Sequence, residues 1–387
     1  MKTPATQTTP ATPLYFAPYQ TVGDNVDTGL LSSAATRTVL QSQSHGRARW
    51  LFVVLTALLI ALILLSAGIG QMQIAPLEVI SSVLRGIGIE TGIESEHTYY
   101  EAALWDVRFP RVALAVIVGA GLATGGVLMQ GVFGNPLAEP GIVGVSAGAA
   151  AFASVVIALG LSVFGAWTLV CGAFIGGLLA TTLVYLTARK NGRTEVVTLI
   201  LTGVAVNAVA GALTAVMTFI GDTSAREEIV FWQLGSLNGT RWQDISVAAP
   251  VMLIGIGACL FYTRQLDLLA LGERQARHLG VDVESLRRQI IILVAVITSA
   301  AVAFSGIIAF VGLVVPHIIR MIVGPGHRVL LPASIIGGAV LLLAADSAAR
   351  TIIPYADLPI GILTALAGGP FFFYLIRRTR RGAGGWN

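Results

Sequence analysis

The stretch Gly134-Asn135-Pro136-Leu137-Ala138-Glu139-Pro140-Gly141-Ile142-Val143-Gly144-Val145-Ser146-Ala147-Gly148 sets two prolines, one acid and closely spaced glycines inside an apolar, almost uncharged sequence. Each proline lacks an N–H and drives the residue before it out of the helical region, so neither flanking helix runs through. The stretch therefore reads as a loop between two membrane spans. Its Gly144-x-Ser146-x-Gly148 end puts small residues where another helix or a substrate can approach the backbone. A plain breaker ahead of a tightly packed span would account for these residues equally well, so the surroundings carry the decision.

The surroundings are those of a polytopic membrane protein. Of 387 residues 55% are hydrophobic and only 11% charged, against about 25% charged in a soluble protein. A run of about 20 apolar residues crosses the roughly 30 Å hydrocarbon core as a helix. Such charge-poor segments fall at 50–69, 110–132, 141–161, 163–188, 196–220, 244–263, 288–312, 314–323, 329–349 and 359–376. The fold class is thus all-α with about ten transmembrane helices, of which 314–323 is short enough to be a half-length or re-entrant piece. Residues 75–89 add an interfacial or buried helix.

Arginines Arg47, Arg49, Arg189, Arg193, Arg264, Arg288, Arg328, Arg377 and Arg381 fall on one side when ten spans are counted. By the positive-inside bias that side is the cytoplasm, which puts both termini inside. The opposite loops, near 70–109 and 221–242, hold acids such as Glu90, Glu94, Glu101, Asp222 and Glu228. Residues 1–49, rich in Thr, Pro, Ser and Gln, are expected to be a disordered cytoplasmic tail, 50–380 the transmembrane domain and 381–387 a short tail. The first span lacks a small-residue cleavage site and is expected to be an anchor. Cys171 and Cys259 lie on different spans without histidine neighbours, which fits buried free thiols and no metal site. The net charge of +4 is mostly positive-inside arginine, so no nucleic-acid partner follows from it.

What is missing narrows the function. The only lysines are Lys2 and Lys190, and neither can follow a Gly-x-x-x-x-Gly loop and precede Ser or Thr. The chain is therefore not expected to be an ATPase. Ion-coupled transporters place titratable groups deep in the bundle, and here Asp346 is the main one. It precedes Arg350 by four residues, a spacing that favours a local ion pair over a proton relay. Such a bundle takes its energy from another subunit. The charged block 271–288 offers a place for one, with Gly280 ending a first short helix and Asp282 capping a second. Leu271, Ala276, Leu279 and Val283 could form an apolar ridge on it. On the far side Arg108, Arg111 and Arg350 run against the positive-inside bias, and either headgroup snorkelling or an acidic partner outside the membrane would explain them.

Taken in order, Arg108-Phe-Pro-Arg111, Gly134-Asn-Pro-Leu-Ala-Glu-Pro-Gly141 with Gly144-x-Ser146-x-Gly148, Phe231-Trp-Gln-Leu-Gly-Ser-Leu237, Leu271-Gly-Glu-x-x-Ala276-Arg-x-Leu-Gly280, Gly306-x-Ile-x-Phe-Val-Gly-Leu-x-x-Pro-His317-x-x-Arg320, His327-Arg-x-Leu-Leu-Pro332 and Leu358-Pro-Ile-Gly361 resemble the transmembrane permease subunit of type II ABC importers, the family for iron-siderophores, haem and cobalamin. The resemblance covers residues 50–380. It implies a homodimer in the bacterial inner or plasma membrane, two cytoplasmic ATP-binding subunits that hold ATP and Mg, and an external substrate-binding protein, with no cofactor on this chain.

By the same resemblance Leu271, Gly272, Glu273, Ala276, Arg277, Leu279 and Gly280 form the ATPase-coupling helix. Arg108, Arg111 and Arg350 meet acids of the binding protein. Asn135, Pro136, Glu139, Pro140, Gly144, Ser146 and Gly148 help line the path or gate, as does the span Thr198 to Ile220. Glu139, Val143-Gly-Val-Ser146 and Leu366-Ala-Gly-Gly-Pro370 look more like haem and cobalamin members than siderophore members, with the haem side slightly closer. An ion-coupled secondary transporter and a membrane scaffold are the alternatives from other classes.

Overall fold

The computed structural model describes residues 29–70, 72–89, 98–190, 193–353 and 356–382. The chain divides into residues 1–46 and 47–387. The helices are α1 (Gly29–Gly68), α2 (Pro76–Gly86), α3 (Thr98–Ala102), α4 (Phe109–Phe133), α5 (Val145–Ala158), α6 (Trp167–Ala188), α7 (Val196–Ile220), α8 (Thr223–Leu234), α9 (Trp242–Leu260), α10 (Thr263–Leu269), α11 (Glu273–His278), α12 (Val283–Ser305), α13 (Val311–Val323), α14 (His327–Ala349) and α15 (Ile360–Gly382). A π-helical turn, Ala103–Arg108, leads into α4, and a 3-10 turn, Pro140–Val143, leads into α5. The strands β1 (Arg189–Lys190) and β2 (Arg193–Thr194) pair antiparallel between α6 and α7.

Seven helices among the described residues are long and apolar enough to cross a membrane, and three shorter apolar ones, Val145–Ala158, Val311–Val323 and Ile360–Tyr374, bring the set to ten. α4 is the axis: 83% of its apolar window is buried, against 17% for α7 at the periphery. Small residues make the central position possible. A Cβ on Gly119 would sit 2.3 Å from the carbonyl oxygen of Gly338 on α14, and one on Gly126 would sit 1.8 Å from that of Gly312 on α13. With no hydrophobic drive between helices in lipid, such backbone contact supplies the packing attraction.

Several boundaries differ from the sequence expectation. The span expected at 141–161 is a 14-residue helix, because Pro140 and the left-handed Gly144 (φ 84) end regular structure on its N-terminal side. The span expected at 288–312 stops at Ser305, where Gly306 turns with φ 66. The short piece then runs over Val311–Val323, a half-length helix, and its N-cap Phe310 holds a positive φ of 68. Within the loop expected at 221–242 lies α8, capped by the Asp222 side chain, which accepts from the Ala225 N–H at 2.8 Å. The tail expected to be without structure is helical from Gly29 to residue 49 as part of α1, while residues 1–28 and 383–387 lie outside the described residues.

Candidate translocation and coupling sites

At the end of the bundle where α10 and α11 sit, backbone chemistry isolates a short helix. Gly272 (φ 108) precedes α11 and Gly280 (φ 86) follows it, both left-handed positions that glycine adopts without a Cβ clash. The Asp282 side chain accepts from the Ser285 N–H at 3.1 Å and starts α12. The expected second short helix is thus the beginning of the 23-residue α12.

Glu273 ties α11 to the bundle. One carboxylate oxygen meets Arg287 at 2.6 Å and the other meets Arg277 at 3.2 Å. Arg287, nearly fully buried, also meets Glu284 and donates to the Thr194 carbonyl, both at 3.3 Å. Glu284 in turn accepts from the Thr194 N–H at 3.0 Å, so β2 joins the same network. The expected apolar ridge is corrected: Ala276 and Val283 face the core, while Leu271 and Leu279 are 61% and 57% exposed. Only Ala276 lies within α11, with Leu271 before it, Leu279 after it and Val283 at the start of α12, so the four share no single face.

Asp267 on α10 makes a second tie that sequence reading missed. It accepts from both the backbone N–H and the ring Nδ1–H of His327, at 2.7 and 2.8 Å, and so caps α14 from outside the helix. The 60-residue separation left no local signal for it.

At the other end of α14 stand the three arginines. All three are buried within the chain, Arg108 and Arg111 being 7% and 6% exposed and the Arg350 side chain 8%. Their partners explain the burial. Arg108 donates to the carbonyls of Ala67 and Gly68, at 2.5 and 2.9 Å, and to that of Met72. Arg350 donates to the Ser66 and Ile69 carbonyls at 3.1 Å and to Ser66 Oγ at 2.6 Å. Both therefore satisfy the orphan carbonyls at the end of α1 and oppose its dipole. Arg111 binds Asp346 at 2.9 Å and Asp357 at 2.8 Å. Asp346 also meets Arg350 at 3.2 Å, which is the i,i+4 pair expected from the sequence, now shared with α4. Three guanidiniums against two carboxylates leave one net positive charge beside a cavity of about 370 Å³ that Asn238 and Val107 also line. Asp357 carried no sequence signal as a partner 246 residues from Arg111.

The loop that opened the sequence reading divides in the same way. Asn135 turns the chain by accepting from the Leu137 N–H at 2.9 Å, and Asn135 and Pro136 are exposed. Glu139 is half-buried with no side-chain partner among the described residues, and desolvation pushes its carboxyl above the ordinary range. Pro140, Gly144 and Gly148 pack against neighbouring helices. A Cβ on Gly148 would sit 2.4 Å from the Gly176 carbonyl oxygen on α6, and Gly144 abuts Val206 on α7. Ser146 does face space: with Asn207, Thr214 and Gln233 it lines a cavity of about 310 Å³ between α5, α7 and α8. Asn207 donates to the Gly141 carbonyl at 3.3 Å and holds α7 to the loop.

The FecCD transport family model matches residues 58–378. The chain is 43% identical to the hemin transport system permease protein HmuU of Yersinia pestis, over 72% of this chain and 85% of that one. It is 46% identical to the cobalamin import system permease protein BtuC of Halobacterium salinarum, over 70% and 72%. To the Fe(3+) dicitrate transport system permease protein FecD of Escherichia coli it is 41% identical, over 75% and 89%. A solved inward-facing conformation of a putative metal-chelate type ABC transporter superposes with a TM-score of 0.74 at 34% identity, covering 85% of this chain and 99% of that one.

Proposed function

The chain belongs to the FecCD transport family, the permeases of type II ABC importers, and from that premise we propose that it imports haem, as one of two identical permeases driven by cytoplasmic ATPases. Import of haem, cobalamin or an iron chelate is the function its relatives share. Haem is the finer reading, supported by the resemblance of the Glu139 loop to haem members.

The observation that carries the proposal is the pair Leu271 and Leu279. Two large apolar side chains stand exposed on either side of a charged six-residue helix, at the end of the bundle where the arginine-rich loops gather. That arrangement suits insertion into a cleft of an ATP-binding subunit. Motion of α11 would pass through Glu273 to Arg287 on α12, and through Asp267 on α10 to His327 on α14. The far end of α14 carries Asp346, with Arg350 as its C-cap, so a push on the cytoplasmic side would reach the outer cluster along one continuous helix. There the net positive charge beside the cavity would receive an acidic group of the external binding protein. Asp346, already shared by two arginines, is poorly placed to relay protons, which disfavours an ion-coupled carrier.

The test is growth of a strain lacking this gene, with haem, ferric siderophores and cobalamin offered separately as sole iron or cofactor source. The proposal expects growth to fail on haem and to return with the gene. Normal growth on haem together with loss on a siderophore or cobalamin would remove haem and leave the importer reading standing.

A further inference from the structure

Helix α2 carries its polarity the wrong way round for a helix resting on a protein in water. Its inward face sets polar groups around one apolar side chain, Val79, which packs with Ala67, Ile74 and Leu104. Ser81 and Ser82 are buried, Ser82 donates to Glu101 at 2.6 Å and accepts from Trp105 Nε1 at 3.0 Å, and Arg85 bonds Glu101 and Ser81. Its outward face is apolar: Leu77 and Ile87 are each 67% exposed, and Ile80 and Val83 lie exposed between them at helical spacing. In water that face would be a liability, whereas against acyl chains it is the favourable side.

Depth markers stand beside it. Trp105 packs so closely on α2 that a Cβ on Gly86 would lie 2.3 Å from its ring. Trp105 pairs with Trp242 at 6.3 Å, and Trp242 Nε1 donates to the Trp105 carbonyl at 2.7 Å. Indoles of this kind, with an apolar body and a polar edge, collect at the membrane–water boundary. The span α1, which also carries exposed apolar side chains, ends eight residues before α2.

We propose that α2 is an interfacial helix, lying at the membrane boundary with Leu77, Ile80, Val83 and Ile87 in the acyl chains of the lipid, and that it moors the α2–α3 segment and the π-helical turn carrying Arg108 to the bilayer. A helix of this type seats its apolar face about 5–10 Å into the boundary region. The polar inward face then works as an adhesive. Arg85, Ser82 and Trp105 transmit the mooring to the turn that caps α1. The inference stands on burial and polarity alone and is independent of substrate and of the ATPase.

The experiment places nitroxide labels by Leu77→Cys, Ile80→Cys and Ile87→Cys in a chain carrying Cys171→Ala and Cys259→Ala, reconstituted in phosphatidylcholine–phosphatidylglycerol vesicles. Arg274→Cys, on the charged connector, is the water reference. Accessibility to oxygen relative to a soluble nickel chelate should be several-fold higher at all three α2 positions than at 274. A ratio equal to that at 274 means a water-facing helix and overturns the proposal. Low accessibility to both reagents means a protein cover, such as the second copy, and overturns it equally. Unmodified protein supplies the control for misfolding: an acyl-chain diazirine lipid should leave adducts that fragment sequencing places on residues 77–85 of the peptide that ends at Arg85, and adducts confined to the α1 part of that peptide would contradict the mooring.

Discussion

At Gly368 one missing methyl group lets α13 begin. Phe310 holds a left-handed backbone there, and its side chain occupies the space in which a Cβ on Gly368 would stand 2.3 Å from Cγ. Gly368→Ala should therefore lose about 1–3 kcal/mol through overpacking, while Gly369→Ala, with nothing within 4 Å, should be nearly neutral in the same thermal unfolding assay. Equal midpoints for the two would refute the packing account. The result bears on substrate as well, since Leu366-Ala-Gly-Gly-Pro370 supports haem less strongly once one of its glycines answers to Phe310.

Arg111→Ala would leave Asp346 and Asp357 without their shared cation, a loss of about 3–5 kcal/mol for a broken buried pair. Arg277→Ala removes an exposed pair worth about 0–1 kcal/mol. Comparable unfolding midpoints would show that the outer cluster is not structural. Charge reversal at Arg108, Arg111 and Arg350 would accordingly disturb the fold before it reports on docking. Glu139 makes the opposite kind of contribution. Desolvation raises its carboxyl pKa in the folded chain, so ionisation costs stability as pH rises past the unfolded value. Glu139→Gln should melt higher than the parent at pH 8 and match it near pH 4; a pH-independent difference would exclude desolvation as the cause.

Among the elements, α11 and its two ties make the sharpest prediction. Replacing Glu273 by Gln or Gly280 by Val should let the assembled complex hydrolyse ATP while uptake falls, because docking persists but the tie to α12 or the left-handed exit is lost. Asp267→Asn should do the same through α14. Normal uptake in all three would make the segment a passive connector. These elements also mark what the sequence discloses. Pro136, Pro140, Gly280 and Asp282 act on their neighbours in the chain, so boundaries around them were legible. The cap of α14 by Asp267, the sharing of Arg111 between Asp346 and Asp357, and the wedge of Gly148 against Gly176 join residues far apart in the chain, and no local pattern announces them. α8 was hidden for a different reason: its mixed, partly charged composition resembles a loop until Asp222 caps it.

For the whole molecule, the sequence spoke most clearly where physics is least local. Low charge and long apolar runs required a bundle of spans, and ten apolar helices are present among the described residues. The arginines were legible as anomalous but not as interior, because a charge count records no carbonyls, and it was the end of α1 that needed them. A bundle tied at one end to a short helix between two exposed leucines and pinned at the other by ion pairs fits the proposal that it is moved from outside itself. Uptake of radiolabelled haem into proteoliposomes holding the complete complex and loaded with ATP tests that most directly. Transport should persist when ionophores collapse every ion gradient and stop when ATP is withdrawn. Transport that survives without ATP and fails with the ionophores would contradict it.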